Sequence, residues 1–595
     1  MKIKKIKIEN FRNFECLEVE VGDQIVIMGE NKIGKSNLLY ALRLLLDPAL
    51  SESARYLSES DFWDGITRPI TDEKIIISID ITDFEEDEDM LCIFASCLVE
   101  TKPLVARITY EFYPIITESQ RQQFEFVIYG GSDPTNKLGY EIRKRVPFEI
   151  LPALRDAESD LSSWSKSPLK PLVERVLEKI DKSEIENVAE KMSEVVDELE
   201  KSPKVIELSE NINEQLENLV GKNHAIETSL GFNPTDPDKL FRSIKMLIDD
   251  GKRGVGEASQ GSANLLYLVL KTLNLKFLVE ENTRDHTFLA IEEPEAHLHP
   301  HIQRLVYKYL LGQMRGRVPE QININEAITN ILTTHSPHIA SVAPLKSFIL
   351  LKKSKDKKST VAVSTTNLDL KDKDISDLER YLNVTRGEIL FAKGVILVEG
   401  DAEEYLIPIL AEKKEYFLDE LGISICSVSG TNFAPYVKLL GSKGLNIPYA
   451  ILTDYDPQEG KQPLSYNRII KLLEEIMEIE EFKKYTEDEL IALSPQYGIF
   501  TNTYTFEIDL FESGRIFSMT DAIIELTENG AARKRAQQWQ SNKSISSEEK
   551  QFLKDIEGIG KGRFAQRVGT NILRRKETAI PKYIKEAIEY VSKKV

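Results

Sequence analysis

A glycine-rich segment between an apolar run and a leucine-rich run constrains the fold of this chain more than any other feature. The apolar run is 25–28 (Ile-Val-Ile-Met), the glycine-rich segment is 29–36 (Gly-Glu-Asn-Lys-Ile-Gly-Lys-Ser), and the leucine-rich run follows it. Two glycines let the segment turn its backbone N–H groups toward phosphate oxygens, and the N-terminus of a following helix favours an anion. The pattern therefore predicts a buried strand, a phosphate-binding loop and a helix, which together indicate an α/β fold.

The residues of this loop have separate expected roles in binding a nucleotide. Lys35 is expected to place its charge at the β- and γ-phosphates, and the Ser36 hydroxyl is expected to join the Mg²⁺ that accompanies ATP. The other residues that we expect around the nucleotide are Gly29, Asn31, Gly34 and Asn37. A chance glycine-rich turn is the alternative, and the strand and helix patterns on either side argue against it.

The composition excludes several classes of protein. At 595 residues the chain exceeds what one hydrophobic core can hold, so at least two domains are expected. The net charge of −20 argues against a generic basic DNA-coating protein, although local basic patches are compatible with it. Four cysteines without a CxxC pair predict neither a disulfide framework nor a zinc site, which suits the cytoplasm. We expect no signal peptide, no apolar run of bilayer length and no membrane association.

Helix-period sequence between 169 and 219 follows a group of predicted strands. Antiparallel strands are predicted at 74–81, 105–112 and 124–129, where apolar and polar residues alternate. Apolar residues then recur every three or four positions, and Pro203 divides this run into two helices. An exposed, charged helical hairpin has little core of its own to cover, so we predict a dimerisation element. The alternative is a helical layer packed on its own domain.

Three further motifs follow the helical region. Ser259 and Gly261 precede a strongly apolar helix, which makes a second anion site at a helix N-terminus. A buried strand then ends in Glu292 and Glu293, of which the first is expected to hold Mg²⁺ and the second to polarise an attacking water. Another apolar strand ends just before His335, which is therefore expected at the same edge of the sheet.

The first half of the chain resembles the ABC-type ATPases of the SMC/RecF group in the order of its phosphate-binding loop, Ser259-x-Gly261, Glu292-Glu293 and His335. The resemblance implies two nucleotides held between two copies of the chain, with Ser259 of one copy at the γ-phosphate bound by Lys35 of the other. It also implies that Glu293 is the catalytic base of ATP hydrolysis. The first acid of this pair is usually Asp in the group and is Glu292 here, a departure that bears on hydrolysis more than on nucleotide binding.

Acidic residues follow two apolar strands of the second half. The strand at 395–398 ends in Glu399 and Gly400, and a following helix would place Glu403 one turn beyond Glu399. A second apolar strand ends in Asp-Tyr-Asp at 454–456. Carboxylates that converge at one sheet edge repel one another unless a divalent cation is bound, and Mg²⁺ or Mn²⁺ suits such oxygen ligands. An acidic surface turn is the alternative.

A strand ending in Glu-Gly and another ending in Asp-x-Asp resemble a Toprim domain, the catalytic fold shared by topoisomerases, primases and certain nucleases. Three short segments of the chain are also distinctive, namely 292–295 (Glu-Glu-Pro-Glu), 399–403 (Glu-Gly-Asp-Ala-Glu) and 561–566 (Lys-Gly-Arg-Phe-Ala-Gln). An ABC-type ATPase followed by a Toprim domain with these segments resembles the OLD (overcoming lysogenisation defect) family of nucleases, whose relatives include the nuclease subunit of the Gabija antiphage system. The resemblance covers nearly the whole chain.

The OLD resemblance implies roles for individual residues of the second half. Lys561 would stabilise charge on the phosphoryl group. The acids that would hold two metal ions are Glu399, Glu403, Asp454 and Asp456, helped by Glu507 and Asp509. For Glu507 and Asp509 the alternative is a helix or strand face without metal contact. For the segment around Lys561 the alternative is a helix-hairpin-helix loop that grips a DNA phosphate.

The resemblances together imply a domain organisation and a function. The expected domains are the two parts of an ABC ATPase at 1–165 and 226–390, a helical dimerisation insert at 166–225, and a Toprim nuclease domain at 391–595. The expected function is a metal-dependent DNA endonuclease, nicking or cutting, that an ATPase regulates in defence against phage. A homodimer or homotetramer is expected, with a helicase subunit or a retron element as candidate partner. The alternative is a RecF-like DNA-repair ATPase whose Toprim domain binds DNA without cleaving it.

Overall fold

Two compact units make up the part of the chain that the structure, a computed structural model, describes. The described residues are 1–116, 122–153, 156–181, 183–184, 187, 191, 202–220, 244, 246–248, 252–312, 327–382, 386–575 and 577–595. The first unit comprises Met1–Leu151, His286–Glu295 and His299–Val595. The second unit comprises Pro152–Asp285 and Ala296–Leu298.

The strands of the described residues belong to four sheets. Their bounds are β1 (Lys2–Phe11), β2 (Phe14–Glu20), β3 (Ile25–Gly29), β4 (Ile75–Thr82), β5 (Leu98–Thr101), β6 (Leu104–Ile116), β7 (Gln122–Gly130), β8 (Phe148–Leu151), β9 (Leu247–Ile248), β10 (Arg253–Gly254), β11 (Thr287–Glu292), β12 (Ile328–Thr334), β13 (Phe348–Lys353), β14 (Thr360–Ser364), β15 (Gly394–Val398), β16 (Ile423–Ser427), β17 (Tyr449–Thr453) and β18 (Ile499–Thr501).

The α-helices of the described residues alternate with these strands in the first unit and dominate the second. Their bounds are α1 (Lys35–Leu46), α2 (Glu52–Arg55), α3 (Glu88–Phe94), α4 (Tyr140–Arg145), α5 (Ala157–Ser162), α6 (Leu169–Glu178), α7 (Pro203–Val220), α8 (Gln260–Glu280), α9 (Pro300–Leu310), α10 (Asp372–Tyr381), α11 (Asp401–Glu412), α12 (Leu418–Leu421), α13 (Ala434–Leu440), α14 (Leu464–Ile476), α15 (Ile479–Phe482), α16 (Glu487–Leu493), α17 (Phe506–Leu510), α18 (Ile516–Leu526), α19 (Gly530–Asn542), α20 (Glu549–Ile559), α21 (Lys561–Arg574) and α22 (Lys582–Ser592).

The sheet that contains the phosphate-binding loop has the strand order β14-β13-β3-β12-β11-β8. All neighbouring pairs are parallel except β13 with the terminal strand β14. The carboxyl ends of β3, β11 and β12 therefore meet at one edge, where Met28 pairs with Thr334 and Glu292 with Thr333. This topology confirms the predicted α/β fold and places the loop, the acidic end of β11 and the end of β12 before His335 on the same side of the sheet.

An antiparallel sheet adjoins this core, as the alternation of its residues predicted. Its order is β2-β1-β4-β6-β5, with β7 paired to β6. Isoleucines of β1 and β4 are buried in one cluster with helix α1. One polar residue of β4 is nevertheless buried, since Asp80 accepts hydrogen bonds from Arg107, with 2.6 Å between Nε and Oδ1. A buried carboxylate persists in such a sheet when a cross-strand cation neutralises it.

A four-stranded parallel sheet, β16-β15-β17-β18, supports the predicted Toprim region. Helices α11, α21 and α22 contribute apolar side chains to one core that also contains Ile396 and Val398 of β15. Burial on both faces explains why 395–398 and 449–453 are continuous apolar runs without alternation. Because β15 and β17 are adjacent and parallel, their acidic ends lie side by side, as the sequence predicted.

The second unit contains part of the predicted dimerisation insert. Leu172 of α6 packs in the core of this unit with residues of α5 and α8. For α6, this packing agrees with the alternative interpretation of the insert, namely a helical layer packed on its own domain. Helix α7 begins at Pro203, where the sequence placed a helix boundary. The apolar stripe that the sequence predicted between 188 and 199 lies outside the described residues, except for Lys191. The dimerisation role therefore stays a prediction.

Among the described residues, helix α8 is long and apolar enough to span a membrane, judged by its length and composition alone. The expectation that no apolar run has this length is therefore wrong for α8. The sequence pattern did not indicate this apolar run because Lys271 and Lys276 interrupt it. In the structure Ala263 and Leu270 of α8 pack in the core of the second unit.

Candidate metal centre and nucleotide loop

Backbone geometry shapes the phosphate-binding loop between β3 and α1. Gly29 and Gly34 adopt φ values of 151° and 111°, in the region that favours glycine. A Cβ atom on Gly29 would lie 2.7 Å from the Leu351 carbonyl oxygen, so the loop also needs glycine for close packing. Lys35, the first residue of α1, is buried and donates from Nζ to the carbonyl oxygens of Gly29 and Glu30, at 3.0 and 3.1 Å. The loop thus has the conformation that the sequence predicted.

The other loop residues predicted to surround a nucleotide differ in exposure. Asn31 and Ser36 are exposed at the surface of the loop, where a ligand has access to them. The Asn37 side chain is fixed by two hydrogen bonds, because its Nδ2 donates to Asn13 at 2.6 Å and its Oδ1 accepts from Arg12 at 2.9 Å. These contacts fix the first turn of α1 beneath the exposed loop.

The acidic end of β11 lies beside the end of β12. Glu293 adopts a left-handed φ of 43°, and its Oε1 lies 3.5 Å from His335 Nε2. Glu295 accepts hydrogen bonds from Thr334 Oγ1 and the His335 N–H, at 2.7 and 3.1 Å. Burial and the nearby Lys35 ammonium lower the pKa of His335. The sheet edge therefore gathers the predicted lysine, acid and histidine around one position, next to Glu292 at the last place of β11.

Ser259 and Gly261 lie at the start of α8 in the second unit. The Ser259 hydroxyl caps the helix by accepting from the Ser262 N–H at 3.3 Å. A Cβ atom on Gly261 would lie 2.7 Å from the His297 carbonyl oxygen of the same unit. Both residues thus have local structural roles, and their predicted contact with a nucleotide on a second copy stays a prediction.

Glu399 joins the ends of the two central strands of the Toprim sheet. Its Oε1 accepts from the Asp454 N–H at 2.9 Å and from the Thr453 hydroxyl. Arg468 of α14 donates to the same oxygen at 2.5 Å, and its other terminal nitrogen donates to Asp456 at 3.2 Å. The structure therefore brings together the acids that the sequence placed at two separate strand ends.

Three further contributions to this group come from acidic side chains that are more deeply buried. Burial, reinforced by Asp454, raises the pKa of Glu403 to about 8. Burial and Glu399 likewise raise the pKa of Asp454 to about 7. Glu507 is also buried, and its Oε2 has no hydrogen-bond partner among the described residues. Three buried acidic side chains therefore lie together here, and burial favours the protonated form of Glu403 and Asp454.

Lys561 points to this group from the start of α21. Its Nζ lies 3.0 Å from Glu507 Oε1. Burial opposes the charge of Lys561, but Glu507 and Asp454 outweigh it and raise the lysine pKa. Lys561 thus lies beside the acids, and its role at a phosphoryl group stays a prediction. The short connection between α20 and α21, where Gly560 has a φ of 93°, is also the kind of turn that the alternative helix-hairpin-helix interpretation requires.

Asp509 lies apart from this group although it shares helix α17 with Glu507. Its carboxylate accepts from the Thr503 N–H and hydroxyl, both at 3.0 Å, and from the Tyr504 N–H at 3.0 Å. All of these contacts stabilise the turn before α17. The structure thus brings Glu507, and not Asp509, to the predicted metal ligands.

The acids fit a divalent metal by their chemistry. They are hard oxygen donors, burial and then neighbouring carboxylates raise the pKa values of Glu403 and Asp454, and Glu507 has an orphaned buried oxygen. Among the described residues no three Asp, Glu, His or Cys side chains already form a metal-binding group. The absence of such a group is explained in part by Arg468, because its guanidinium contacts the oxygens of Glu399 and Asp456 that a metal ion would use.

Comparison with known families identifies both halves of the chain. A model of the AAA ATPase domain matches residues 1–127 and 101–340, which together are more than half of the chain. A model described as "Overcoming lysogenization defect protein-like, TOPRIM domain" matches residues 390–456, which contain Glu399, Glu403 and the 454–456 acids. The chain belongs to the OLD family. The OLD assignment confirms the resemblance that its motif order suggested.

Several relatives of this OLD-family protein match it over most of their length. It is 25% identical to "Endonuclease GajA" of Bacillus cereus, over 80% of this chain and 79% of the relative. It is 23% identical to "OLD nuclease" of Thermus scotoductus, over 76% and 82%. Among solved structures, the C-terminal region of the Burkholderia pseudomallei OLD protein is 42% identical and covers 34% of this chain and 98% of its own, with a TM-score of 0.31.

Sequence reasoning missed two residues that contact the acids of the candidate metal centre. Arg468 lies 12 positions beyond Asp456, in the middle of the amphipathic helix α14, where an arginine looks like part of a solvated face. Asn502 follows β18 and donates from Nδ2 to Asp454 at 2.5 Å. The position of Asn502 after a short apolar strand is the one signal that points to it, because β18 is the neighbour of β17.

Proposed function

We propose that this OLD-family protein is a metal-dependent DNA endonuclease that nicks or cuts, with an ATPase half that regulates cleavage. The observation that supports it is the group of carboxylates at the ends of β15 and β17, with Lys561 beside it. The family assignment and the nuclease names of the relatives point to the same reaction class. We propose Mg²⁺ or Mn²⁺ as the metal of cleavage, and ATP with Mg²⁺ as the nucleotide.

The proposed reaction is hydrolysis of a phosphodiester bond. The residues that would hold two metal ions are Glu399, Glu403, Asp454, Asp456 and Glu507. The chemistry that bound divalent metal would supply at these residues is activation of a water and neutralisation of charge on the leaving oxygen.

The remaining side chains of the group position the ligands and the substrate. Asn502 and the Phe506 N–H both donate to Asp454 Oδ1, at 2.5 and 2.9 Å, and so fix the direction of its second oxygen. Lys561 is half-exposed, which lets its ammonium leave Glu507 and contact a phosphate oxygen of incoming DNA. Glu403 holds a proton near neutral pH and must release it for its carboxylate to become a ligand.

The ATPase half is proposed to bind nucleotide through the loop between β3 and α1. Lys35 would leave the loop carbonyls for the phosphates, and Ser36 and Glu292 would hold the Mg²⁺ ion. Glu293, close to His335, is the proposed base for water. Closure of this site by Ser259 of a second copy requires the homodimer or homotetramer that we propose as the working assembly.

We propose antiphage defence in the cytoplasm as the biological setting, with a helicase subunit or a retron element as candidate partner. The resemblance to the OLD family and the Gabija nuclease subunit implies this setting, whereas the similarity to "Endonuclease GajA" over four fifths of the chain supports the endonuclease activity itself. All four cysteines, Cys16, Cys92, Cys97 and Cys426, are free, as in a reducing compartment.

The test is cleavage of supercoiled plasmid by purified protein, with Mg²⁺, Mn²⁺ or EDTA and with or without ATP. We expect the parent to relax or linearise plasmid only with metal, and Glu399→Ala to lose about 100-fold or more of that activity because a metal ligand is removed. Asp401→Asn is the matched control, since Asp401 is exposed two residues away. Lys35→Ala is expected to abolish the ATP effect and leave metal-dependent cleavage.

Two results of this test would contradict the proposal. One is an intact plasmid under every metal condition, together with ATP hydrolysis that Lys35→Ala removes. That result would favour a RecF-like DNA-repair ATPase whose Toprim domain binds DNA without cleaving it. The other is cleavage by Glu399→Ala at the rate of the parent.

A further inference from the structure

Arg468 occupies the centre of the acidic group without any role assigned to it so far. It lies in the middle of α14, and its side chain is 14% exposed. One terminal nitrogen donates to Glu399 Oε1 at 2.5 Å, to the Thr453 hydroxyl and to the Asp454 carbonyl oxygen at 3.3 Å. The other donates to Asp456 Oδ2 at 3.2 Å. A single guanidinium thus bridges the acidic ends of β15 and β17.

The physical reason for this bridge is the cost of uncompensated charge. Glu399 is 18% and Asp456 29% exposed in their side chains, so water screens them only in part. Partly buried carboxylates at one sheet edge repel each other and destabilise the folded chain unless a cation lies between them. The planar fork of an arginine can contact two carboxylates at once, which an ammonium does less well.

The contacts of Arg468 also conflict with metal binding. Glu399 Oε1 already accepts from three donors, namely Thr453, the Asp454 N–H and Arg468, and this uses its capacity. A divalent ion that needs this oxygen repels the guanidinium, since both are cations. The Asp454 N–H is fixed by the backbone that follows β17, whereas the Arg468 side chain comes from α14 and can move away without disturbing β17.

We propose that Arg468 is the built-in counter-cation of the metal-free Toprim site, and that a divalent metal binds by displacing its guanidinium from Glu399 and Asp456. The inference rests on the proposed function, because it takes these two acids as metal ligands. Arg468 is a positioning residue in this scheme. It keeps the two strand ends together before metal arrives, and it weakens metal binding by the free energy needed to break its contacts.

Calorimetric titration of Mn²⁺ into EDTA-stripped, dialysed full-length protein tests this competition directly. Arg468→Gln is expected to bind Mn²⁺ about tenfold more tightly than the parent, because the metal no longer displaces a charged competitor. Lys471→Gln is the matched control, since Lys471 is exposed on the same helix one turn away, and it should bind like the parent. Glu399→Ala identifies which part of the heat comes from this site.

Thermal unfolding of the same variants supplies a second readout that does not involve cleavage. Without metal, Arg468→Gln is expected to unfold several degrees below the parent, because two acids lose their counter-cation. Saturating Mn²⁺ should then raise its unfolding temperature by more than it raises that of the parent. If Arg468→Gln does not fold, Arg468→Lys keeps the charge without the fork and should also bind Mn²⁺ more tightly than the parent.

The outcomes separate this inference from the proposed function. If the parent binds Mn²⁺ and the Arg468 variants bind it equally or more weakly, the inference is wrong, and weaker binding would mean that Arg468 orients Glu399 in the loaded site. If the parent shows no Mn²⁺ binding that depends on Glu399, the metal site of the proposed function is wrong as well. Tighter binding by Arg468→Gln, with Lys471→Gln unchanged, supports the displacement.

Discussion

Glu403 and Asp454 show at the level of single residues how burial prepares a site for a cation. Both pKa values lie well above the ordinary carboxyl range, at about 8 and about 7, with burial as the main cause and neighbouring carboxylates as the second. A carboxyl group in this position is partly protonated at neutral pH. Metal binding must therefore release protons, and metal affinity is expected to increase as pH rises from about 6 to about 8.5.

The raised pKa values also predict how the stability of the metal-free protein depends on pH. The ordinary values of Glu403 and Asp454 in the unfolded chain are 4.5 and 3.8, below the folded values of about 8 and about 7. Between these limits the folded protein binds more protons than the unfolded chain, so the free energy of unfolding falls as pH rises. The contribution is most favourable below about pH 4 and is lost by about pH 8.

Thermal unfolding in EDTA between about pH 5 and pH 8.5 checks this expectation. The difference in unfolding temperature between Glu403→Gln and the parent should grow in favour of the variant as pH rises, since Gln cannot ionise. Asp401→Asn, an exposed neighbour in the same motif, should show a constant difference. A pH-independent difference for Glu403→Gln would contradict the raised pKa.

Lys561 gives a second prediction at the residue scale. Lys561→Met removes the ammonium that contacts Glu507 and should reduce cleavage about 100-fold or more while Mn²⁺ binding stays measurable, because a methionine supplies no charge to the phosphate. Lys554→Met, an exposed position on the neighbouring helix α20, is the matched control for a general loss of DNA affinity. Equal loss of activity in both variants would favour a role in DNA binding, as the helix-hairpin-helix interpretation holds.

Helix α17 shows at the level of an element how one short segment can divide two acids between two tasks. The helix begins at Phe506, so Glu507 and Asp509 lie in its first turn and point in different directions. Glu507 faces the buried acids, whereas Asp509 accepts the N–H groups of the preceding turn. The proposed metal ligand is therefore Glu507, and Asp509 is proposed to fix the entry into the helix.

Paired variants on α17 test this division. Glu507→Gln should weaken Mn²⁺ binding at least tenfold, because a buried anionic ligand is lost. Asp509→Asn should leave Mn²⁺ affinity close to that of the parent and lower the free energy of unfolding by about 1–2 kcal/mol, because hydrogen bonds to a charged acceptor become weaker. Titration calorimetry and thermal unfolding measure the two effects. The reverse pattern would assign the metal contact to Asp509.

At the scale of the whole molecule, the first unit includes both the nucleotide-binding sheet and the Toprim sheet. Lys352 of β13 donates to the carbonyl oxygens of Leu445 and Asn446, at 3.2 and 2.7 Å. Lys393, next to β15, lies 3.3 Å from Glu30 of the phosphate-binding loop. Burial lowers the pKa of Lys352 to about 8, whereas Lys393 and Glu30 are more than half exposed. Of the two contacts, that of Lys352 is the one expected to affect stability, because solvent screens the exposed pair.

Removal of the Lys352 side chain is expected to loosen the connection between the two sheets. Lys352→Ala should lower the free energy of unfolding by about 1–3 kcal/mol, because two carbonyl oxygens lose a charged donor. Lys353→Ala, an exposed neighbour on the same strand, should change it by less than about 0.5 kcal/mol. Thermal unfolding of both variants makes the comparison. Equal unfolding temperatures for the two variants would show that the Lys352 contacts add no net stability.

The sequence by itself determined the elements whose pattern is local. The strand before Gly29, the helix that begins at Lys35, and the apolar strands that end at Glu399 and Asp454 all follow from runs of a few residues, and the structure confirms them. Periodicity of two or 3.6 residues and the special geometry of glycine decide such elements. Parallel strands share one carboxyl edge, so the meeting of the two acidic ends was also predictable.

Only the tertiary structure decided which charges meet in space. Arg468 comes from a helix with no motif, and Asn502 from a short strand, yet both contact the central acids. The sequence gives no reason to prefer Glu507 or Asp509 as a metal ligand. The structure distinguishes them, because their side chains point in different directions from α17. The physical reason is that burial and long-range pairing depend on how elements pack, whereas sequence patterns report only the neighbours along the chain.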